Sequence, residues 1–314
     1  MESSTPPVLL VAFNRPDTTA RVFAAIRAAR PTRFFFACDG PRIGKPGEAE
    51  RVEEVRRIAA QVDWPCDFRT RFLSENLGCG RGVSSAIEWF LGEAGEGIIL
   101  EDDCLPTPAF FQYAAVMLDR YRHDERVGII SGTNMAPEVS LPDDHGFSRI
   151  ITCWGWATWR RTWDGYRLAP EMVRADEAWV EGFGGRSFRI IENSFRRIHA
   201  GDAHTWDYQL LVQMLRSGQL TVIPRRNLIL NIGFGGGGTH FTGTGRPWWA
   251  PDRAEDFHGD WSREIEMRVC ERFDLHYKVS SHAGGGKWLR NWLKLRRKLH
   301  SLIVSFGRPA ALVD

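Results

Sequence analysis

The chain has 314 residues, of which 43% are hydrophobic and 25% charged, with a formal net charge of +2. This is ordinary globular usage, enough for one large α/β domain or for a domain with an appendage. So small a net charge excludes nucleic-acid binding by bulk electrostatics, and no run of about 18 apolar residues offers a membrane span.

Val8 to Phe13 is a short, continuous apolar run that predicts a buried strand. Pro16 suits the first turn of a helix, where its missing N–H would be unpaired anyway, and Val22, Ile26 and Ala29 keep helical spacing up to Pro31. Phe34 to Cys38 predicts a second strand, ending on Asp39-Gly40-Pro41, and a helix follows with Val52, Val55, Ala59 and Val62 on one face. Phe68 to Phe72 predicts a third strand and Gly80 to Leu91 a third helix. Ile98 to Leu100 is a short strand that ends directly on Glu101-Asp102-Asp103. Strand and helix in alternation imply a largely parallel sheet, with ligands bound beyond the carboxyl ends of its strands. Asn14-Arg15, Asp39-Gly40 and Glu101-Asp102-Asp103 would all meet at that rim. The second half is less regular, with a Trp-rich segment at 154–163 and a Gly-rich one at 233–245. The organisation expected is a catalytic domain over 1–265, with a donor-binding half over about 8–131 and an acceptor-side half over about 132–265. A tail of 266–314 follows.

Six dispersed cysteines, with no Cys-x-x-Cys pair, argue against zinc-ribbon and thioredoxin chemistry. They read as reduced core thiols of a cytoplasmic chain. Met1 to Pro7 has neither the basic nor the apolar segment of a signal peptide.

Three consecutive acids after an apolar strand repel one another, and a divalent cation is the usual compensation. Hard oxygen ligands suit Mg²⁺ or Mn²⁺, which share their remaining positions with water and substrate phosphates. The run from Ile98 to Phe111, around Glu101-Asp102-Asp103-Cys104-Leu105-Pro106, resembles the acidic metal motif of GT-A glycosyltransferases. The nearest likeness is to the N-acetylglucosaminyltransferase I type, as an EDD variant of DxD. The resemblance implies a Rossmann-like nucleotide-diphospho-sugar transferase fold, with Asp103 on the metal and Asp102 and Glu101 near the sugar and ribose. Leu9 to Arg15 resembles the family's first strand and nucleotide-binding turn, which makes Asn14 and Arg15 candidate donor contacts. Asp39 resembles the acid that holds the uracil ring. Asn76 to Gly82 resembles the segment entering the next helix, where glycines expose backbone N–H groups to anions and Arg81 would pair with phosphate.

Cys153-Trp154-Gly155-Trp156-Ala157-Thr158-Trp159 is similar to the family's acceptor-side segment, with Trp154 and Trp156 as a sugar-stacking wall and Gly155 permitting close backbone approach. Read without the family, it is equally a Trp-rich core cluster. In His204-Thr205-Trp206-Asp207-Tyr208, the resemblance casts Asp207 as the general base of an inverting transfer. Asp207 could instead cap the helix that follows, and His204 is the fallback base. The glycines of Asn231 to Gly245 suit a mobile lid, with His240 as a phosphate or metal contact.

Physics alone reads the tail. Over residues 287–306, Trp288, Trp292, Leu295, Leu299 and Leu302 fall on one helical stripe among basic residues with no acid between them. Such a helix suits the inner face of an anionic membrane, or else docking on the domain or packing in a dimer. The function expected is transfer of a sugar from a UDP-sugar, N-acetylglucosamine by the resemblance, to a hydroxyl on a glycan or lipid-linked acceptor. The rival readings are a nucleotidyltransferase, which would need a Gly-rich phosphate loop after the first strand, and a non-catalytic sugar- or membrane-binding module.

Overall fold

The structure is a computed structural model, and it describes residues 5–183, 185–202, 204–234, 245–281 and 291–299. The expected alternation opens the chain: β1 (Val8–Ala12), α1 (Pro16–Ala29), β2 (Arg33–Cys38), α2 (Glu48–Ala59), β3 (Asp67–Phe72), α3 (Gly78–Ala94) and β4 (Glu96–Glu101). There follow β5 (Cys104–Pro106), α4 (Pro108–Tyr121), β6 (Val127–Ser131), β7 (His145–Ser148), β8 (Trp156–Trp159) and α5 (Arg160–Trp163). The remainder is α6 (Ala178–Phe183), α7 (Gly185–His199), α8 (Asp207–Ser217), β9 (Leu220–Pro224), β10 (Ile229–Asn231) and α9 (Glu271–Ser281).

Eight strands form one mixed, mostly parallel sheet in the order β3-β2-β1-β4-β8-β6-β9-β7, in which β8 and β7 run against the other six. β1 lies between β2 and β4 because it is apolar at every position and both of its faces are covered. Val8, Leu10 and Ala12 point into a core shared with α1, α2 and α4, while Leu9 points into a second core shared with α3, α7 and α8. Each of the Val and Leu side chains contributes about 1.5–3 kcal/mol on burial. β3 reads Asp-Phe-Arg-Thr-Arg-Phe, and its charges, with Arg69 paired to Asp67 and Glu93, protect a sheet edge.

Two of the expected boundaries do not match the packing. β8, from the acceptor-side half, is hydrogen-bonded between β4 and β6 of the donor-side half, so the two halves share the middle of one sheet. The tail likewise does not begin at 266. Val269 bridges to Phe147, the Cys270 N–H donates to the Phe147 carbonyl at 2.8 Å, and Phe273 is buried against Met135, Val139 and Ile223. Residues 291–299 are helical; Trp288 and Leu302 lie outside the described residues.

Register positions the rim. Ala12 pairs with Cys38, and Val11 with Glu101, so the residues that follow β1, β2 and β4 emerge side by side. Asp102 and Asp103 turn the chain into β5, which pairs antiparallel with β10 and sets Cys104 opposite Asn231.

Gly155 has the close approach expected of it. Its φ is +66°, and a Cβ there would lie 2.4 Å from the Ile229 side chain. Gly155→Ala should therefore cost about 2–4 kcal/mol, from a left-handed backbone plus overpacking. This would be read as a lower urea midpoint at unchanged slope. A loss below about 0.5 kcal/mol, the range of ordinary surface substitutions, would refute the close packing.

Candidate active site

A cavity of about 530 Å³ opens at the carboxyl end of β1 and β4, and Arg15, Glu101, Asp103, Trp154, His204 and Asp207 line it. Of the residues expected at this rim, Arg15, Glu101 and Asp103 line the cavity, whereas Asn14, Asp39 and Asp102 do not. The individual roles are sorted differently.

Asp102 is 3% exposed and is turned away from the cavity. One oxygen accepts the Phe13 N–H at 3.3 Å and the other pairs with Arg15. A buried carboxylate must be paired, and this one ties the end of β4 to the turn after β1. Its expected contact with the donor is corrected to this positioning role. Arg15 reaches the Asp103 Oδ2 at 2.8 Å as well. Burial opposes its charge, but the two carboxylates outweigh that and hold the guanidinium protonated. Asp103 faces the cavity, with Asn231 Nδ2 at 3.5 Å from its other oxygen. Gly233 passes so close that a Cβ would lie 2.3 Å from Asp103 Oδ2.

Among the described residues no donor reaches the Glu101 carboxylate. Burial first, and then the charges of Asp103 and Asp102, push its pKa up; Arg15 opposes this and Asp207 adds to it. Burial likewise raises Asp102, against the pull of Arg15. Asp102 and Asp103 thus pair with the Arg15 guanidinium, while Asp207 adds a further like charge near Glu101. Cys79 and Cys153 also line the cavity, and burial, reinforced by Glu101 and Asp207, keeps both thiols protonated and inert as nucleophiles.

Asp207 is the first residue of α8, held in place by its neighbour. The Trp206 indole is buried, stacks on Trp156 at 5.6 Å, and its carbonyl accepts the Tyr166 hydroxyl at 3.2 Å. Asp207 Oδ1 accepts from the Thr205 hydroxyl and from the Tyr208 N–H at 3.0 Å. Oδ2 has no partner among the described residues. Trp156 is thereby corrected: it is fully buried in β8 and offers no surface for stacking. The aromatic wall is instead Trp154 with Trp249, stacked at 5.8 Å, and Phe234 edge-on to Trp154 at 5.7 Å. The fallback base is corrected too, since both ring nitrogens of His204 are engaged, by the Asp202 carbonyl at 2.9 Å and the Ser194 hydroxyl at 3.2 Å.

The expected nucleotide contacts are mostly occupied within the chain. Asp39 Oδ1 accepts the Gly40 and Leu77 N–H groups, and Oδ2 accepts Gly78 N–H and Asn76 Nδ2, all within 3.1 Å. Four donors fill a carboxylate, so Asp39 caps the start of α3 and leaves no lone pair for a uracil ring. The anion site expected at that helix start is taken by the same carboxylate. Asn14 donates to Glu48 at 2.9 Å. Glu48 also binds Arg42, chiefly through hydrogen bonds that lower its pKa to about 2. Arg81 is exposed and outside the cavity. His240 lies outside the described residues.

Glu48, Asn231, Phe234 and Trp249 went unassigned on sequence. Asn231 could have been suspected, since it stands where an apolar strand gives way to the Gly-rich segment.

A raised carboxyl pKa means that the folded chain binds more protons than the unfolded one above the ordinary glutamate value of 4.5. Stability therefore falls as pH rises from that value, and Glu101→Gln should flatten the fall. At about pH 8 the variant should be more stable than the parent by at least about 1.4 kcal/mol, the worth of one pKa unit, with little difference at about pH 5. Urea unfolding at the two pH values checks this, and parallel profiles would refute it.

The chain matches no protein-family model and no curated protein.

Proposed function

We propose that this chain is a metal-dependent glycosyltransferase of the GT-A type, which moves a sugar from a nucleoside diphosphate to an acceptor hydroxyl. The observation that carries the reading is a single cavity in which strand-end acids, an aromatic wall and the half-free carboxylate of Asp207 face one another. Its size suits a small-molecule site.

The donor set suits Mn²⁺ or Mg²⁺, because carboxylate oxygens outnumber the one guanidinium that balances them. Asp103 is the residue that would hold the ion. Among the described residues no three His, Cys, Asp or Glu side chains form a cage, so phosphate and water would complete its shell. When bound, the ion would offset charge developing on the departing diphosphate. Arg15 stands where it can exchange Asp103 for phosphate, a ligand its planar fork matches equally well.

Asp207 supplies the base. With Oδ1 tied to Thr205 and Tyr208, Oδ2 is left to take the acceptor's proton as that oxygen attacks the anomeric carbon and the bond to the diphosphate breaks. Attack from the face away from the diphosphate inverts the centre. Trp154, with Trp249 behind it, offers an apolar face to a sugar ring. A UDP donor, N-acetylglucosamine as the sugar, and a glycan or lipid-linked acceptor rest on the resemblance around Glu101-Asp102-Asp103.

Thermal shifts with nucleoside-diphosphate sugars, with and without Mn²⁺, test the binding half. Ligand at about 100 times its Kd adds roughly 2.7 kcal/mol, and that gain should vanish with chelator and in Asp103→Ala. A shift that survives in Asp103→Ala would remove Asp103 from the metal. Asp207→Asn should keep donor binding and lower turnover by about 10²–10⁴-fold. Near-normal turnover in that variant would mean the base lies elsewhere.

A further inference from the structure

The helix over residues 291–299 shows two unlike faces. Leu293 is buried, and Arg297 donates to the carbonyls of Met135, Trp248 and Trp249, with the Glu138 carboxylate 3.8 Å away. Met135 and Trp249 line the cavity, so this helix is bonded to the backbone of the cavity wall. On another side Trp292, Leu295 and Leu299 are 44%, 57% and 50% exposed. At 3.6 residues per turn these three fall within about 60° of one another, which makes a continuous apolar stripe.

Charge says what covers that stripe. Arg296 and Lys298 flank it and are exposed, with the Arg296 guanidinium over the Trp292 ring at 5.4 Å and donating to the Glu138 carbonyl at 3.1 Å; Lys294, exposed and further round the helix, has its ammonium over the Trp248 ring at 5.4 Å. Between Asp274 and Asp314 the sequence has eight Lys and Arg residues and no Asp or Glu. Residues 291–299 contain no acid, and the carbonyl and ring contacts of Arg296 and Lys294 bring them no counter-charge, nor would a purely apolar partner. A surface with an apolar interior and anionic groups at its boundary meets both needs, and Trp and Leu beside Lys and Arg are the residues that partition there.

We propose that residues 291–299 seat this protein on an anionic phospholipid surface, the Trp292-Leu295-Leu299 stripe entering the headgroup boundary and Lys294, Arg296 and Lys298 pairing with phosphates. Among the described residues no helix is long and apolar enough to cross a membrane, so the association is with one face of the bilayer. Through Arg297, the cavity wall and the lipid-facing stripe form one packed unit.

The test is co-sedimentation of the full chain with vesicles of phosphatidylcholine alone and of phosphatidylcholine mixed with phosphatidylglycerol. It needs no donor, so it succeeds or fails independently of the transferase reading. The protein should pellet with the anionic vesicles only, and less at high salt. Leu295→Ser with Leu299→Ser, and separately Lys294→Glu with Lys298→Glu, should each weaken binding by at least about tenfold. Unchanged melting temperatures would show that both variants fold. No binding to the anionic vesicles would overturn the proposal, as would binding that both double variants retain. A dimer in sedimentation velocity that Leu295→Ser with Leu299→Ser dissociates, without vesicle binding, would assign the stripe to a second copy and overturn it as well.

Discussion

The Arg15 guanidinium sits between Asp102 and Asp103, and the arrangement of the cavity follows from that double pairing. Asp102 is buried and would be costly to ionise alone; Arg15 supplies its counter-charge and at the same time fixes the turn after β1 against the end of β4. With Asp102 committed inward, the two-residue turn aims Asp103 outward, and the chain leaves it as β5 to pair with β10. Asn231 and Gly233 then come against Asp103 as a consequence of that small sheet. One cation thus organises three segments. It balances only part of the negative charge of Asp102, Asp103 and Glu101, and the remainder is what the proposed divalent ion would offset.

Asp207 is held by different physics. Among the described residues no charged partner locates it. It is placed by the stack of Trp206 on Trp156, a contact between the residue preceding α8 and the antiparallel strand β8 at the middle of the sheet. The proposed base and the proposed metal ligand therefore sit on separate supports, one aromatic and one ionic. Substitutions at either support should be separable in their effects on binding and on turnover.

The first hundred residues were legible because their signals are local. An apolar run such as Val8 to Ala12 is buried on both faces wherever it occurs, and Pro16 marks a helix start regardless of its neighbours. The rim at Arg15, Glu101 and Asp103 followed from their place at the carboxyl ends of strands that alternate with helices. What was not legible depends on partners distant in sequence. Trp154 and Trp156 are two residues apart and look equivalent, yet one lines the cavity and the other is core, because β8 inserts between β4 and β6. Asp39 carries the right residue type for a base contact, but Asn76, Leu77 and Gly78 fill its oxygens, and no spacing rule reveals that saturation. Glu48 is similar, an ordinary helix-start acid until Arg42 and Asn14 fold onto it.

The place of β8 also sets an order in time. During synthesis β1, β2, β3 and β4 can pair in parallel as soon as they emerge, but β4 then presents an apolar edge with no strand beside it. Its neighbour arrives only with Trp156–Trp159, and β6, already made at Val127–Ser131, has nothing to pair with until then. At a chain growth of about 5–20 residues per second, that edge stays open for seconds. An unpaired apolar strand edge is a template for the wrong partner. The interval between β4 and β8 is therefore when the nascent chain most needs protection.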